Sequence, residues 1–195
     1  MSIGVSKTTT NDPIPVWQHN PDVMLGGFKL VTTGLTSGEY VTAGTPIYAN
    51  GTARTATVLK TAFAQATATN TATDYKLKKG HFFAVGDYLA ITVGSKAYAI
   101  TAIDTSNADY DLVTVGTTLG ATVAVNDVFF KSSATGASAA ALDVTPNGLL
   151  YQSEKVESNR SCSVVYEGAV YKNRIPAIPS AVVTALPLIF FSTSY

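Results

Sequence analysis

Between residues 75 and 133, glycine, asparagine and aspartate divide the chain into short apolar runs, and this spacing constrains the fold more than any other feature. The runs cover residues 90–93, 97–103, 110–115 and 123–130. Runs this short do not make helices with their own hydrophobic face, and spacings of about 8 to 12 residues are typical of all-β domains. The pattern predicts a small antiparallel β-barrel.

A repeated pattern inside this segment supports the same prediction. Val85-Gly86-Asp87-Tyr88-Leu89 is matched by Val125-Asn126-Asp127-Val128-Phe129. Each copy places a turn residue and an aspartate directly before an apolar run, as expected where a chain enters a strand of a barrel.

Strand-like runs also lie on both sides of the barrel segment. On the N-terminal side they cover residues 23–30, 41–48 and 52–59, and Asn50-Gly51 is a strong hairpin signal. On the C-terminal side they cover residues 144–151, 161–171 and 187–191. A stretch of small residues from 180 to 186 predicts a short helix before the last strand.

Two stretches of small residues separate the middle segment from its flanks. Residues 61–75 alternate alanine and threonine, and residues 134–143 are rich in alanine and serine. Because threonine is stiff and β-branched, the first stretch favours an extended linker over a helix. Insertions are tolerated where chain ends lie close together at a surface. We therefore predict a mainly β chain in which a small antiparallel β-barrel with linkers, residues 61–143, is inserted into an antiparallel β host domain, residues 23–60 plus 144–195, which has one short C-terminal helix.

Residues 1–22 are expected to form an extended N-terminal arm. Pro13, Pro15 and Pro21 exclude a helix and a central strand. The single tryptophan, Trp17, lies between these prolines. Tryptophan is enriched at binding hot spots, so one hypothesis makes it an anchor in a neighbouring subunit. The other hypothesis makes it a lid over the protein's own core.

Composition argues against several classes of partner. The chain has 13 basic and 13 acidic residues, so the long-range attraction to phosphate that drives nucleic-acid binding is not expected. Charged residues make up only 13% of the chain, which predicts a surface of hydroxyl and methyl groups that favours assembly. No secretion signal and no membrane-spanning run is recognised, so we expect synthesis in the cytoplasm and no membrane partner. The single cysteine, Cys162, is predicted to be a buried strand residue.

The residue patterns required for catalysis or metal binding are not recognised in the sequence. His19 and His81 lie in no metal-binding spacing. Asp104, Asp109 and Asp111 surround a polar loop, but the glycine and distal glutamate of an EF-hand do not follow, so the loop favours Asx turns. We predict no enzyme activity, no metal and no cofactor.

Tyrosine supplies a second functional hypothesis. The chain has ten tyrosines, and aromatic rings with polar tips serve both sugar stacking and protein interfaces. A host-surface glycan-binding adhesin, or a fibre module on a virion, is the alternative function. Its candidate residues lie in the middle segment: Tyr75, Tyr88, Tyr98 and Tyr110.

Both flanks carry short apolar patterns known from one family. The C-terminal flank has Glu167-Gly168-Ala169-Val170 followed by Leu186-Pro187-Leu188-Ile189-Phe190, and the N-terminal flank has Ala43-Gly44-Thr45-Pro46-Ile47-Tyr48 before Asn50-Gly51. These patterns resemble tailed-bacteriophage auxiliary capsid proteins, that is, head decoration and head-fibre proteins. The resemblance implies attachment to the outside of an icosahedral head, commonly as an oligomer, and no active site. The chain has no heptads of the kind that build long fibres, which favours a compact decoration protein.

The expected function is that of a structural virion protein on the outer surface of a phage capsid. It would stabilise the head by bridging subunits of the major capsid protein, as a homo-oligomer of which a trimer is one form. The predicted capsid-binding residues belong to the arm: Ile14, Val16 and Trp17. Leu188, Ile189 and Phe190 are expected to support the base of the domain from inside.

Overall fold

The computed structural model of the chain describes residues 15–193, except for the side chains at positions 25 and 26. It is mainly β, with 42% of residues in strands. The strands of the N-terminal part are β1 (Asp22–Leu30), β2 (Tyr40–Val41), β3 (Pro46–Asn50), β4 (Thr55–Val58), β5 (Thr61–Phe63), β6 (Asp74–Lys78) and β7 (Tyr88–Ala90). Those of the C-terminal part are β8 (Ala97–Asp104), β9 (Tyr110–Val115), β10 (Val128–Ser132), β11 (Gly148–Leu150), β12 (Glu154–Lys155), β13 (Ser161–Tyr171) and β14 (Ile189–Ser192). A 3₁₀ turn covers Lys172–Arg174, and the helix α1 covers Ser180–Ala185.

The first large sheet, which we call the flanking sheet, has the order β1-β4-β3-β11-β13-β14. An additional antiparallel pairing of β1 with β13 closes its first five strands into a barrel. Most neighbours are antiparallel, but β1 runs parallel to β4 and β14 runs parallel to β13. A short sheet of β2 and β12 accompanies it.

The long strand β13 holds the flanking sheet together because it pairs with three other strands. Its first part pairs with β1 and β11, and residues 168–171 pair with β14. Gly148 lets β11 approach closely, since a Cβ there would lie 2.6 Å from the carbonyl oxygen of Val165. The helix α1 buries Val182 in the same core cluster that β13 lines with Val165 and Val170.

The second large sheet, which we call the middle sheet, has the order β5-β10-β7-β8-β9-β6. It curls so that its two edges meet at an antiparallel bridge between Ala64 and Leu77. Its core is separate from that of the flanking sheet. Tyr75 and Phe129 lie at its centre, with ring centroids 5.3 Å apart.

The repeated turn pattern of the middle segment is confirmed. Gly86 and Asn126 both have positive φ, +94° and +69°, which the turns require. The carboxylate of Asp87 accepts the amide of Ala84, and that of Asp127 accepts the amide of Ala124, three residues earlier in each case. The two turns end the loops that lead into β7 and β10, so β10 begins at Val128 and not at residue 123.

The predicted class, mainly β with a barrel and a short helix near the C-terminus, is confirmed. The closed five-stranded barrel lies in the flanking sheet, however, and not in the middle segment where it was predicted. The edges of the middle sheet meet at only the one bridge described above. The interpretation of residues 61–75 as a linker is wrong, because Thr61–Phe63 forms β5 and pairs with β10. The alternation of small residues has a strand period there, which puts Ala62 and Ala64 in the core. The division into domains stays a prediction.

The chain passes between the two sheets at Lys60 and at Asp143. The amide of Lys131 donates to the carbonyl oxygen of Lys60, and the amide of Asp143 donates to the carbonyl oxygen of Lys131. The buried Lys60 ammonium lies 2.7 Å from Asp87, and Lys131 lies 3.4 Å from Asp87 and 3.0 Å from Asp143. Both crossing points are therefore hydrogen-bonded to the backbone of Lys131 in β10, and the ion pairs among Lys60, Lys131, Asp87 and Asp143 connect them.

Candidate functional site

The arm residues that the structure describes pack against the protein's own core. Trp17 forms a bridge with Val170 of β13, and its Nε1 donates to the carbonyl oxygen of Tyr151 at 3.0 Å. Its ring stacks on Tyr151, and both Trp17 and Val16 pack against the core cluster beneath α1. Trp17 is thus a lid over the protein's own core, one of its two hypotheses, and Val16 packs beside it. Ile14, the third predicted capsid-binding residue, lies outside the described residues.

The four tyrosines of the glycan hypothesis do not form one exposed group. Tyr75 is only 1% exposed, and its hydroxyl donates to the carbonyl oxygen of Ala72 inside the middle sheet. Burial raises the pKa of Tyr75, and hydrogen bonds with Leu119 and Thr118 oppose that rise. Tyr88, Tyr98 and Tyr110 are half-buried.

The C-terminal strand presents large apolar side chains to solvent. Leu188 is 59% exposed and Phe190 is 66% exposed, whereas Ile189 between them is buried. The expectation that all three support the domain from inside is therefore wrong for Leu188 and Phe190. Because β14 is the last strand of the flanking sheet, its outer edge has no neighbouring strand among residues 15–193. We call the exposed side chains of Leu188 and Phe190 the β14 surface.

A second feature is a basic cleft between the two sheets, which the sequence analysis did not anticipate. Its basic side chains are Lys78, Lys79, His81 and Arg174, and its apolar wall is formed by Phe63, Ile175, Pro176 and Ala177. The volume of the cleft is about 320 Å³. An adjoining cleft of about 360 Å³ shares Phe63 and Lys78 and adds Lys172. We treat the two together as the basic cleft.

Lys79 and His81, on one side of the basic cleft, both lie close to the carboxylate of Asp111. Asp111 lies 2.5 Å from the Lys79 ammonium and 3.3 Å from Nε2 of His81. The amide of Phe83 donates to Nδ1 of His81, so a neutral ring carries its proton on Nε2. Nε2 is not aligned for a hydrogen bond and has no other partner in the described part of the chain, although the side chain is only 4% exposed.

The charge state of His81 follows from this environment. Burial lowers the pKa of His81, because the imidazolium would lose its hydration. The carboxylate of Asp111 opposes this effect, and the charges of Lys79 and Lys60 reinforce it. His81 is therefore neutral near pH 7.

The basic cleft could not have been found from sequence spacing. Lys78 and Lys79 follow β6, whereas Lys172 and Arg174 lie in the 3₁₀ turn after β13. The only signal was a pair of adjacent lysines in one place and a basic turn in another, and only the packing of the two sheets brings them together. Within the flanking part, Gly44 lets the chain lie against the apolar wall of the cleft, since a Cβ there would lie 2.2 Å from Ile175 Cγ2.

The remaining polar candidates have structural roles. Asp104 accepts the amide of Ser106 and Asn107 accepts the amide of Asp109, so the loop forms Asx turns, as predicted. Within residues 15–193, no group of three or more histidine, cysteine, aspartate or glutamate side chains is placed to hold a metal ion. Cys162 is buried, as predicted, and burial raises the pKa of its thiol to about 11.

Comparison with protein-family models, with curated proteins and with solved structures gives no match to this chain. In the part of the chain that the structure describes, no helix is both long enough and apolar enough to span a bilayer.

Proposed function

We propose that this protein is a structural virion protein that decorates the outer surface of a tailed-bacteriophage capsid and stabilises the head by bridging subunits of the major capsid protein. The observation that carries the proposal is the β14 surface. Large apolar side chains at the open edge of a sheet are a liability for a free monomer and are expected to be covered by a partner.

The low charge of the chain supports the same proposal. With 13% charged residues, little of the surface repels a neighbouring protein of similar composition. The resemblance of both flanks to auxiliary capsid proteins points to the capsid as the surface that is covered. Strands of the two flanks also form the closed barrel of the flanking sheet, which gives the β14 surface a rigid support.

The proposed contact lies at β14 and not at the arm. Val16 and Trp17 are already packed against the core, so they are not available as free anchors. Phe190 and Leu188 are large, apolar and mostly exposed, which is the state expected of contact residues before assembly. Each contact is modest, and many copies on one lattice would add avidity.

The test uses heads of the virus that encodes the chain, stripped of this protein. The double variant L188S/F190S should lose at least about 90% of its binding in a co-sedimentation assay, because most of the apolar contact area is removed. A matched control is V85S/V125S, which removes two exposed apolar side chains from the middle segment. The control should bind like the wild type.

Three outcomes would contradict the proposal. They are absence of the protein from purified particles, unchanged binding of L188S/F190S, and equal loss in both double variants. A glycan array gives the test of the adhesin alternative, and binding there that depends on Tyr88, Tyr98 or Tyr110 would favour that function over capsid decoration.

A further inference from the structure

The basic cleft concentrates positive charge in a protein whose formal net charge is zero. Among the described residues, no carboxylate side chain lines either part of the cleft. Lys79 is neutralised by Asp111, but Lys78 and Arg174 make no ion pair within residues 15–193. Lys78 bonds to the side chain of Asn126, and Arg174 bonds to the carbonyl oxygen of Pro15. The cleft therefore keeps at least two uncompensated charges beside an apolar wall.

This arrangement favours an anion. A concave surface of one charge sign with low-dielectric walls focuses the electric field and raises the local concentration of ions of the opposite sign. Arg174 and Lys172 are held in a single 3₁₀ turn, and Lys78 is held at the end of β6, so the charges are placed by secondary structure. The buried imidazole of His81, whose Nε2 lies 3.3 Å from the carboxylate of Asp111, adds a polar group that also lines the cleft.

Two aromatic rings indicate which kind of anion fits: Phe63, which lines the cleft, and Tyr171, which directly precedes the lining residue Lys172. The ammonium of Lys78 lies 5.1 Å from the ring centre of Phe63, and the guanidinium of Arg174 lies 4.1 Å from that of Tyr171. Each of these rings thus already has a cation of the protein over one face. Nucleic-acid bases and sugars bind largely by stacking on open aromatic faces. A peptide carboxylate needs no such face, and an apolar peptide side chain fits against Ile175, Pro176 and Ala177.

We propose that the basic cleft is a binding site for an acidic peptide segment of a partner protein. A glutamate or aspartate carboxylate is shared by Lys78 and Arg174, and a neighbouring apolar side chain lies on the wall of the cleft. This site uses other residues than the β14 surface, and it does not depend on the partner being a capsid.

The experiment measures binding of a fluorescein-labelled peptide with four Glu-Val repeats by fluorescence anisotropy at low salt. The peptide with four Gln-Val repeats is the uncharged control. The double variant K78Q/R174Q should bind the acidic peptide at least about tenfold more weakly, because hydrogen bonds to charged groups are lost. The variant K29Q/K96Q removes the same charge from positions outside the cleft and should change the affinity less than about twofold.

The single variant K78Q provides a second test, because Lys78 bonds to Asn126 of the middle segment, whereas Arg174 bonds to Pro15 of the arm. It should retain the wild-type melting temperature and still bind the acidic peptide more weakly. Equal losses in K78Q/R174Q and K29Q/K96Q would mean general charge attraction and would overturn the site. Tighter binding of inorganic phosphate, of an oligothymidylate or of an oligogalacturonate than of the acidic peptide would overturn the assignment to a peptide.

Discussion

At the scale of single residues, Asp87 shows how one side chain links the two sheets. Burial by itself would raise the pKa of Asp87, but the hydrogen bonds from Lys60 and Ala84 and the charges of Lys60 and Lys131 lower it below its ordinary value of 3.8. Lys60, its main partner, is only 6% exposed. Asp87 therefore has two tasks: it shapes a turn before β7 and it neutralises a buried ammonium.

Substituting Asp87 by asparagine should destabilise the protein by about 3 kcal/mol at pH 7, because it leaves the Lys60 charge buried and unpaired. Since the folded pKa of Asp87 is lowered, its contribution is present above pH 3.8 and is lost as the pH falls through the folded value. Urea unfolding from pH 7 to pH 2 should show the difference between wild type and D87N shrinking in acid. The exposed Asp109 provides the control, D109N, with a change below about 0.5 kcal/mol. A difference that stays constant with pH would contradict this assignment.

The sequence was sufficient for residues whose environment is set locally. Cys162 was expected to be buried in a strand, and it is, because residues 161–164 alternate between the less buried Ser161 and Ser163 and the buried Cys162 and Val164. Tyr75 shows the limit of the same reasoning. A tyrosine, with an aromatic ring and a polar hydroxyl, suits a binding surface and a core equally well. The structure shows that Tyr75 is a core residue, because its ring is buried and its hydroxyl donates to the carbonyl oxygen of Ala72.

At the scale of elements, residues 15–21 act as an edge segment of β13. The amide of Gln18 donates to Ala169, and the amide of Tyr171 donates to Val16. Between these two backbone hydrogen bonds, Trp17 covers the core cluster that lies beneath α1. The prolines of the arm excluded a helix and a central strand, and the structure shows the remaining possibility, an extended segment with few ladder bonds.

Substituting Trp17 by alanine should cost about 3 kcal/mol in the free energy of unfolding, because it opens the core cluster beneath α1 and removes a hydrogen bond and a ring contact. W17F keeps most of the packing and should cost about 1 kcal/mol, since chiefly the hydrogen bond to Tyr151 is lost. Chemical denaturation followed by far-UV circular dichroism measures both. If W17A were as stable as the wild type, the lid would have no structural role.

Elements with regular alternation could be predicted closely, and those set by tertiary contacts could not. The predicted strand 110–115 agrees with β9, and the predicted helix 180–186 agrees with α1 to one residue. The strand β5 was missed because it has only three residues, Thr61, Ala62 and Phe63, and its inward-facing side chain is a small alanine, which gives no strong apolar pattern. The parallel pairing of β14 with β13 and the basic cleft both depend on contacts between segments distant in sequence.

At the scale of the whole molecule, the strands divide between two sheets by position in the chain. The flanking sheet takes strands from residues 22–58 and 148–192, and the middle sheet takes strands from residues 61–132. Each has a core of its own. The crossings at Lys60 and Asp143 meet at Lys131, which brings the two ends of the intervening segment together.

Replacing residues 61–143 by a Gly-Ser linker of about six residues should therefore leave a flanking unit that folds, since a loop that short can join ends this close. We expect cooperative unfolding and a tryptophan emission maximum like that of the intact protein, because the partners of Trp17, Val170 and Tyr151, both lie in the flanking unit. The same replacement with the added change I189S should abolish the transition. If the linker variant itself showed no cooperative transition, the two units would depend on each other to fold.

The double crossing at Lys131 also bears on how such a chain can change over evolutionary time. A gene segment that encodes residues 61–143 can be exchanged by recombination without altering the barrel of the flanking sheet or the strand β14 at its edge. Residues 61–143 can then diversify, while the flanking sheet is inherited unchanged.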